Sequence, residues 1–269
     1  MSAAEGTPAS AAGADDEVLQ ALAFAGDLVT RSGHEAARRQ VGVVEQRKPA
    51  AALTGSVVTE VDLDVELAVD AALRERYPHD GLVGEERVDR AGTSGRTWVV
   101  DPVDGTLNYA RRLGPWSVVL SAWRGDACEL VAVWTGGVLY TAARGRGAHR
   151  DGERLQLPAT EVEAGGIVRV PAALVPAVVR AGWLPKIVES SAAEVASVAD
   201  GRVVGSVRLR GERRDLHGPA LLVAEAGGTV TAPDGGPWDG ATRGLVLAAP
   251  GAHAALLDLV PAQAVPSAD

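Results

Sequence analysis

A short hydrophobic run that leads directly into an acidic turn constrains the fold of this 269-residue chain most strongly. Residues 97–100, Thr-Trp-Val-Val, combine aromatic and β-branched side chains, which predicts a buried β-strand. The next six residues, 101–106, read Asp-Pro-Val-Asp-Gly-Thr. The sequence therefore predicts a sheet with two carboxylates clustered where one of its buried strands ends.

The acidic turn has the composition of a magnesium site. Asp101 and Asp104 are close enough in sequence for one turn to direct both carboxylates to the same side. Mg²⁺ takes about six oxygen ligands and keeps several waters, so a few carboxylates and a backbone carbonyl, such as that of Val103, suit it. Gly105 and Thr106 could begin a helix whose amides receive a phosphate, and the Thr106 hydroxyl could orient a water. Taken alone, the segment is equally compatible with an ordinary turn, because Asp, Pro and Gly are all turn residues.

Composition limits the classes of protein to which the chain can belong. Hydrophobic residues make up 46% of it and charged residues 23%, which is typical of a globular protein. The net charge of −9 argues against a nucleic-acid partner, because phosphate backbones attract clustered Lys and Arg. No stretch approaches the roughly 18 apolar residues that crossing a membrane requires, so no membrane association is expected. The single cysteine, Cys128, lies in an alternating apolar segment, which predicts core packing and a cytoplasmic location.

Hydrophobic periodicity predicts a tail followed by an N-terminal half. Residues 1–15 are rich in Ala, Ser and Gly and lack the features of a signal peptide, so we expect a disordered tail. Residues 16–150 are predicted to form an α+β half that carries the acidic turn. Its predicted helices cover residues 16–39 and 61–77, and its predicted antiparallel strands cover residues 116–123, 129–134 and 138–142.

The remaining residues, 151–269, are predicted to form a C-terminal α/β half that completes the site. The boundary is expected near Asp151-Gly152. Strands are predicted at residues 167–170 and 245–249, and helices at residues 192–199 and 215–226.

Three acidic segments occur in order along the chain, and together they resemble the inositol monophosphatase family. The segments are Gly84-Glu85-Glu86, residues 98–109 and residues 215–228, and the resemblance spans roughly residues 57–228. It implies an α/β (α+β) fold, a layered αβαβα sandwich of the inositol monophosphatase and fructose-1,6-bisphosphatase type. It also implies a phosphoric monoester hydrolase that uses two or three Mg²⁺ ions, is often inhibited by lithium and forms a homodimer.

The same resemblance implies roles for individual residues. The positions that match metal ligands are Glu85, Asp101, the Val103 carbonyl, Asp104 and Asp215. The positions that match catalytic residues are Asp62, Glu85 and Thr106, with Asp62 near the activated water and Thr106 orienting it. Asp62 also fits a helix-capping role, and the two roles can coexist. The positions expected to bind substrate are Gly105, Thr106, Ser191, Ala192, Arg208 and Glu212.

The reaction expected from this resemblance is hydrolysis of a small phosphorylated substrate by in-line attack of a metal-activated water. The substrate expected first is inositol-1-phosphate or a related cyclitol or sugar phosphate. The alternatives are a bisphosphate, namely 3′-phosphoadenosine 5′-phosphate or fructose 1,6-bisphosphate, and histidinol phosphate. A non-catalytic metal-binding regulatory protein is a further alternative, although all the acidic positions are retained.

The chain departs from the family pattern at residues 208–217. The family's Trp-Asp-x-Ala is Arg214-Asp215-Leu216-His217 here, and four arginines lie in residues 208–214, where the family often uses a Glu to hold sugar hydroxyls. These arginines suit a second phosphate or a carboxylate, or they form a solvated basic loop. His217 is interpreted as a helix-surface residue, with a ligand role as the alternative.

Overall fold

The computed structural model describes residues 9–47, 57–158, 165–238 and 243–261. Helices and two large β-sheets alternate in layers within these residues. Among them, no helix combines the length and the hydrophobicity that crossing a membrane requires.

The N-terminal part consists of two long helices and an eight-stranded sheet. The helices are α1 (Ala9–Arg39) and α2 (Glu60–Arg76), and a short α3 (Thr106–Arg111) follows the central strand. The sheet strands are β3 (Gly81–Val83), β4 (Asp89–Arg90), β5 (Arg96–Asp104), β6 (Ser117–Arg124), β7 (Ala127–Thr135), β8 (Val138–Ala143), β9 (Gly147–Arg150) and β10 (Glu153–Leu155). Their order is β10-β9-β8-β7-β6-β5-β3-β4, and only the β3–β5 pair is parallel. Two further strands, β1 (Gln46–Arg47) and β2 (Val57–Val58), pair separately.

The C-terminal part is built on a five-stranded mixed sheet. Its order is β12-β11-β13-β15-β14. The strands are β11 (Ile167–Arg169), β12 (Leu184–Lys186), β13 (Gly205–Arg208), β14 (Thr229–Thr231) and β15 (Leu245–Ala248). The helices are α4 (Val175–Arg180), α5 (Ser191–Ala199), α6 (Ala220–Glu225) and α7 (His253–Leu257), with a 3₁₀ turn at Ala172–Leu174 and a π-helical turn at Arg213–His217.

Three hydrophobic cores separate these layers. Along β5, Trp98 and Val100 pack with α1 and α2, whereas Val99 faces the opposite core with α5 and α6. This alternation follows from the two faces of a β-strand. The third core lies between the second sheet and helices α4 and α7. The layers are therefore helix, sheet, helix, sheet, helix, and the predicted αβαβα sandwich is confirmed.

Helix α1 begins before the predicted helix start at residue 16. It starts at Ala9, so residues 9–15 of the expected tail are helical, whereas residues 1–8 lie outside the described residues. The reason is the high helix propensity of alanine, which favours extension of an established helix.

The single helix predicted over residues 215–226 is wrong. The chain instead forms the π-helical turn Arg213–His217, and α6 starts only at Ala220. Pro219 has no backbone N–H to donate to a continuous helix. Gly218 lies tightly against the first sheet, because an added Cβ would come within 2.8 Å of the Ser121 hydroxyl.

The boundary predicted at Asp151-Gly152 falls in the hairpin between β9 and β10. Strand β10, just beyond it, completes the first sheet. The division into residues 16–150 and 151–269 stays a prediction, but the first sheet extends through Leu155.

Candidate metal centre

Strand β5 carries the two aspartates of the acidic turn at its C-terminal end. β5 pairs with β6 through Asp101, and the register shifts before Asp104. Such an irregularity bends a strand and redirects its side chains. Both carboxylates and the intervening Val103 are buried.

Gly105 allows the segment before α5 to approach the turn closely. Its φ of 90° lies in the left-handed region, which favours glycine. An added Cβ would lie 2.9 Å from the Glu189 carbonyl oxygen and 3.0 Å from Ser190 Cβ. A glycine is therefore required at this point for steric reasons.

Asp104 joins the acidic turn to the start of α5. Its carboxylate accepts hydrogen bonds from the Ser190 hydroxyl at 2.6 Å, the Ala192 amide at 2.8 Å and the Ser191 amide at 3.0 Å. Burial raises the pKa of Asp104 to about 7, and the charge of Asp215 acts in the same direction against these hydrogen bonds. Ionisation of the Asp104 carboxyl group is thus still unfavourable, although three groups donate hydrogen bonds to it.

Glu85 is positioned by the buried Glu66, which the sequence analysis did not identify. The Glu66 carboxylate accepts hydrogen bonds from the backbone amides of Glu86, Arg87 and Val88, each at 2.7 Å. A Cβ at Gly84 would lie 2.5 Å from the Glu66 carboxyl carbon. The Gly-Glu-Glu segment therefore surrounds the buried Glu66 carboxylate, and these contacts fix the backbone position of Glu85.

Asp101 lies in the electrostatic field of carboxylates from both halves of the chain. Burial raises the pKa of Asp101 well above its usual range, and the charges of Glu85, Asp104 and Asp215 raise it further. Its Oδ1 atom is buried without a hydrogen-bond partner. A buried acceptor without a donor, surrounded by like charges, is expected where a cation belongs. The all-oxygen donor set fits Mg²⁺.

Asp215 reaches the cluster from the π-helical turn of the C-terminal part. Its carboxylate accepts from the Glu212 amide at 2.8 Å and from the Ser191 hydroxyl at 3.3 Å. In the same turn His217 is buried, so its interpretation as a surface histidine is wrong. The wider π turn, which replaces a regular helix, directs His217 inward.

Asp62 combines a helix cap with a contact to the acidic turn. Thr59 is the N-cap of α2, and its amide donates to the Asp62 carboxylate at 2.9 Å. The other carboxylate oxygen is 3.1 Å from the Thr106 hydroxyl, which also lies 2.9 Å from the Val103 carbonyl oxygen. Burial raises the pKa of Asp62 to about 6. A capping function and a hydrogen bond to the acidic turn therefore coexist in Asp62.

Three of the four arginines in residues 208–214 are paired with acids. Arg208 Nε donates to Glu194 at 3.0 Å, and Arg214 Nη1 is 2.6 Å from Glu212. Arg213 pairs with Asp126 and stacks on Trp123. Arg208 pairs with a buried acid, whereas Arg213 and Arg214 pair with exposed acids at the surface.

The two predicted substrate residues of this segment lie in different environments. Glu212 is exposed, and its side chain pairs with Arg214 and caps the π turn instead of joining the carboxylate cluster. Arg208 is partly buried. The negative charge of Glu194 raises the pKa of Arg208, and the charges of Asp104 and Asp215 raise it further. Arg208 thus lies beside the cluster.

Glu194 is a second buried acid that the sequence analysis missed. It is 2% exposed and accepts hydrogen bonds from Ser206 and Arg208. Residues 192–199 were predicted to form a helix, and a Glu in a helix is usually solvated. The available signal was that every neighbour of this Glu in α5 is a small or apolar residue.

Comparison with known proteins identifies the family of this chain. The chain matches the inositol monophosphatase family model over residues 15–263. It belongs to that family. Human inositol monophosphatase 1 is 26% identical over 257 residues, which cover 87% of this chain and 91% of that protein. The prediction of a phosphoric monoester hydrolase is confirmed, because the members of the inositol monophosphatase family are phosphatases.

Solved structures of the family share the fold. An inositol monophosphatase from Thermotoga maritima gives a TM-score of 0.81 at 23% identity, covering 90% of this chain and 96% of that chain. An IMPase/NADP phosphatase complexed with Mg²⁺ and phosphate gives 0.79 at 19% identity, covering 91% and 97%. The fold of the inositol monophosphatase family thus extends over nearly the whole chain.

Proposed function

We propose that this family member hydrolyses inositol-1-phosphate or a related cyclitol or sugar phosphate in a reaction that requires Mg²⁺. The observation that carries the proposal is the buried, unpartnered Oδ1 of Asp101, a carboxylate on which the charges of Glu85, Asp104 and Asp215 also act. The name of the human relative and the Mg²⁺ and phosphate in a structural neighbour support it.

The residues that would hold two or three Mg²⁺ ions belong to both halves of the chain. They are Glu85, Asp101, the Val103 carbonyl, Asp104 and Asp215. Bound Mg²⁺ would lower the pKa of an attacking water and neutralise charge on the phosphoryl oxygens.

Asp62 and Thr106 are proposed to orient and deprotonate the attacking water. The Thr106 hydroxyl lies within hydrogen-bond distance of both Asp62 and the Val103 carbonyl. It carries one proton, so it can accept a proton from water only if it donates its own proton at the same time. With a pKa of about 6, Asp62 is mostly ionised at neutral pH yet can hold a proton. The amides of Gly105 and Thr106 are proposed to receive phosphate oxygens.

The state of Arg208 favours a polyol over a second phosphate beside the cluster. Its Nε is bonded to Glu194, and its Nη2 donates to the Val188 carbonyl at 3.1 Å. Glu194 therefore neutralises this guanidinium before substrate arrives. Ser191 and Ala192, at the start of α5, are proposed to contact the substrate hydroxyls.

A panel of substrates tests the proposal. Phosphate release with Mg²⁺ is measured for inositol-1-phosphate, fructose 1,6-bisphosphate, 3′-phosphoadenosine 5′-phosphate and histidinol phosphate. We expect the highest kcat/KM for inositol-1-phosphate. A preference of more than about tenfold for a bisphosphate or histidinol phosphate, equal to about 1.4 kcal/mol, would overturn the substrate. Mg²⁺ binding without hydrolysis of any member would favour the regulatory alternative. Homodimerisation remains a prediction from the family resemblance, and a cytoplasmic location remains a prediction from the single cysteine.

A further inference from the structure

A second charged cavity lies between α5 and the ends of strands β7 and β8, apart from the carboxylate cluster. Its volume is about 190 Å³, and Arg150, Arg169 and Arg202 line it together with Tyr140 and Ser197. The first two residues of α5 donate amides to Asp104, whereas Ser197 borders this cavity. None of the residues proposed to bind metal or substrate lines it.

Among the described residues, Asp200 is the acid that pairs with arginines of this cavity. Asp200 accepts from Arg202 Nε at 2.8 Å and from the Tyr140 hydroxyl at 2.8 Å. Arg150 Nη1 approaches the same carboxylate only to 3.9 Å. Arg150 and Arg202 therefore share the carboxylate of Asp200, in a protein whose net charge is −9.

Among the three arginines of this cavity, Arg169 has the least compensation of its positive charge. Its Nε is buried without a hydrogen-bond partner. Burial lowers the pKa of Arg169, and repulsion from Arg202 and Arg208 opposes the attraction of Glu194. Glu194 is itself bonded to Arg208, so its charge is shared. A buried donor in a positive field needs an anionic acceptor.

We propose that this cavity binds a small oxyanion, with Arg169 donating to it from the buried side and Arg150 and Arg202 from the open side. The latter two side chains are 46% and 58% exposed, so an ion can enter between them. Planar guanidinium groups donate to phosphate and carboxylate oxygens in pairs. The volume lies below the ~300–1,000 Å³ of sites for larger ligands, which argues for a free ion or small acid over a nucleotide.

The test measures anion binding by metal-free protein. With EDTA present, the crowded carboxylates of the metal centre repel phosphate, so binding there is suppressed. Titration calorimetry at constant ionic strength compares inorganic phosphate with malonate, which separates phosphate from carboxylate ligands. We expect saturable binding of one oxyanion per chain.

Variants of Arg169 connect that binding to the cavity. We expect Arg169→Gln to weaken binding at least about tenfold, the loss typical of a charged hydrogen bond. Without anion, its Tm should equal or exceed that of the wild type, because a desolvated charge is removed. Arg169→Lys should retain part of the binding, and the exposed Arg180→Gln is the matched control for loss of one charge.

Three results would overturn the proposal. The first is undetectable binding of both anions at millimolar concentration, and the second is equal binding by the wild type and Arg169→Gln. The third is an oligomer that Arg169→Gln dissociates while free anions have no effect, which would assign the cavity to an acidic side chain of a second copy. Because the assay contains no Mg²⁺ and no substrate, failure of the proposed phosphatase function would not affect it.

Discussion

At the scale of single residues, Asp101 is the group on which the proposed metal centre depends. Asp101→Asn keeps the size of the side chain but removes the charge that a cation needs. We expect kcat to fall at least about a hundredfold, a loss of roughly 2.7 kcal/mol in transition-state stabilisation. Phosphate release is the measurement, and the exposed Asp27→Asn is the control. Wild-type turnover in Asp101→Asn would contradict the metal assignment.

The raised pKa of Asp104 predicts how the stability of the metal-free protein depends on pH. Its pKa is about 7 in the folded protein and 3.8 in the ordinary state. Between these values the folded protein holds a proton that the unfolded chain has lost, so the free energy of unfolding decreases as pH rises. Asp62, with a pKa of about 6, contributes in the same direction.

Denaturant unfolding in EDTA from pH 4 to 8 measures this dependence. We expect stability to fall over the window up to about pH 7, and we expect saturating Mg²⁺ to reduce the fall because it favours the ionised carboxylates. Asp101→Asn should flatten the EDTA curve by relieving the crowding. Stability that rises with pH across this window would contradict the proposed crowding of charge.

At the scale of elements, α2 supports the loop that carries Glu85. Glu66→Gln replaces an oxygen that accepts backbone amides with an NH₂ group that cannot accept, so the loop should loosen. We expect the Mg²⁺ concentration for half-maximal activity to rise about tenfold, in the range seen for groups that orient metal ligands. Glu75→Gln, on the exposed side of the same helix, is the control.

The two variants also separate positioning from general destabilisation. A loss of Tm in Glu66→Gln with an unchanged Mg²⁺ requirement would show that Glu66 supports only the fold. Rescue of activity by high Mg²⁺ is the result expected of a positioning residue.

The strands and the acidic positions of this chain were predictable from sequence, whereas several contacts that organise them were not. Strand β5 combined apolar and β-branched residues, and the motif at its end was specific enough to identify the family. The roles of Glu66 and Glu194 depend on tertiary contacts, because a Glu in a helix is solvated unless another element covers it. The π turn at Arg213–His217 was missed because an α-helical period was assumed across Gly218 and Pro219.

At the scale of the whole molecule, the proposed metal centre joins both halves of the chain. Glu85, Asp101 and Asp104 come from the first sheet and its loops, and Asp215 comes from the turn before α6. Asp104 also accepts hydrogen bonds from α5, so protein groups connect the two halves as well. Mg²⁺ should therefore stabilise one cooperative structure, since its ligands exist together only in the folded chain.

Thermal unfolding with and without Mg²⁺ tests this coupling. At a concentration of about 100 times Kd the ion should add roughly 2.7 kcal/mol, which for a chain of this size is a rise in Tm of about 5–10 °C. Asp215→Asn should abolish most of this rise, although it alters only the C-terminal ligand, and Asp27→Asn should keep it. If Mg²⁺ raised the Tm of Asp215→Asn as much as that of the wild type, the ion would be held by the N-terminal half alone.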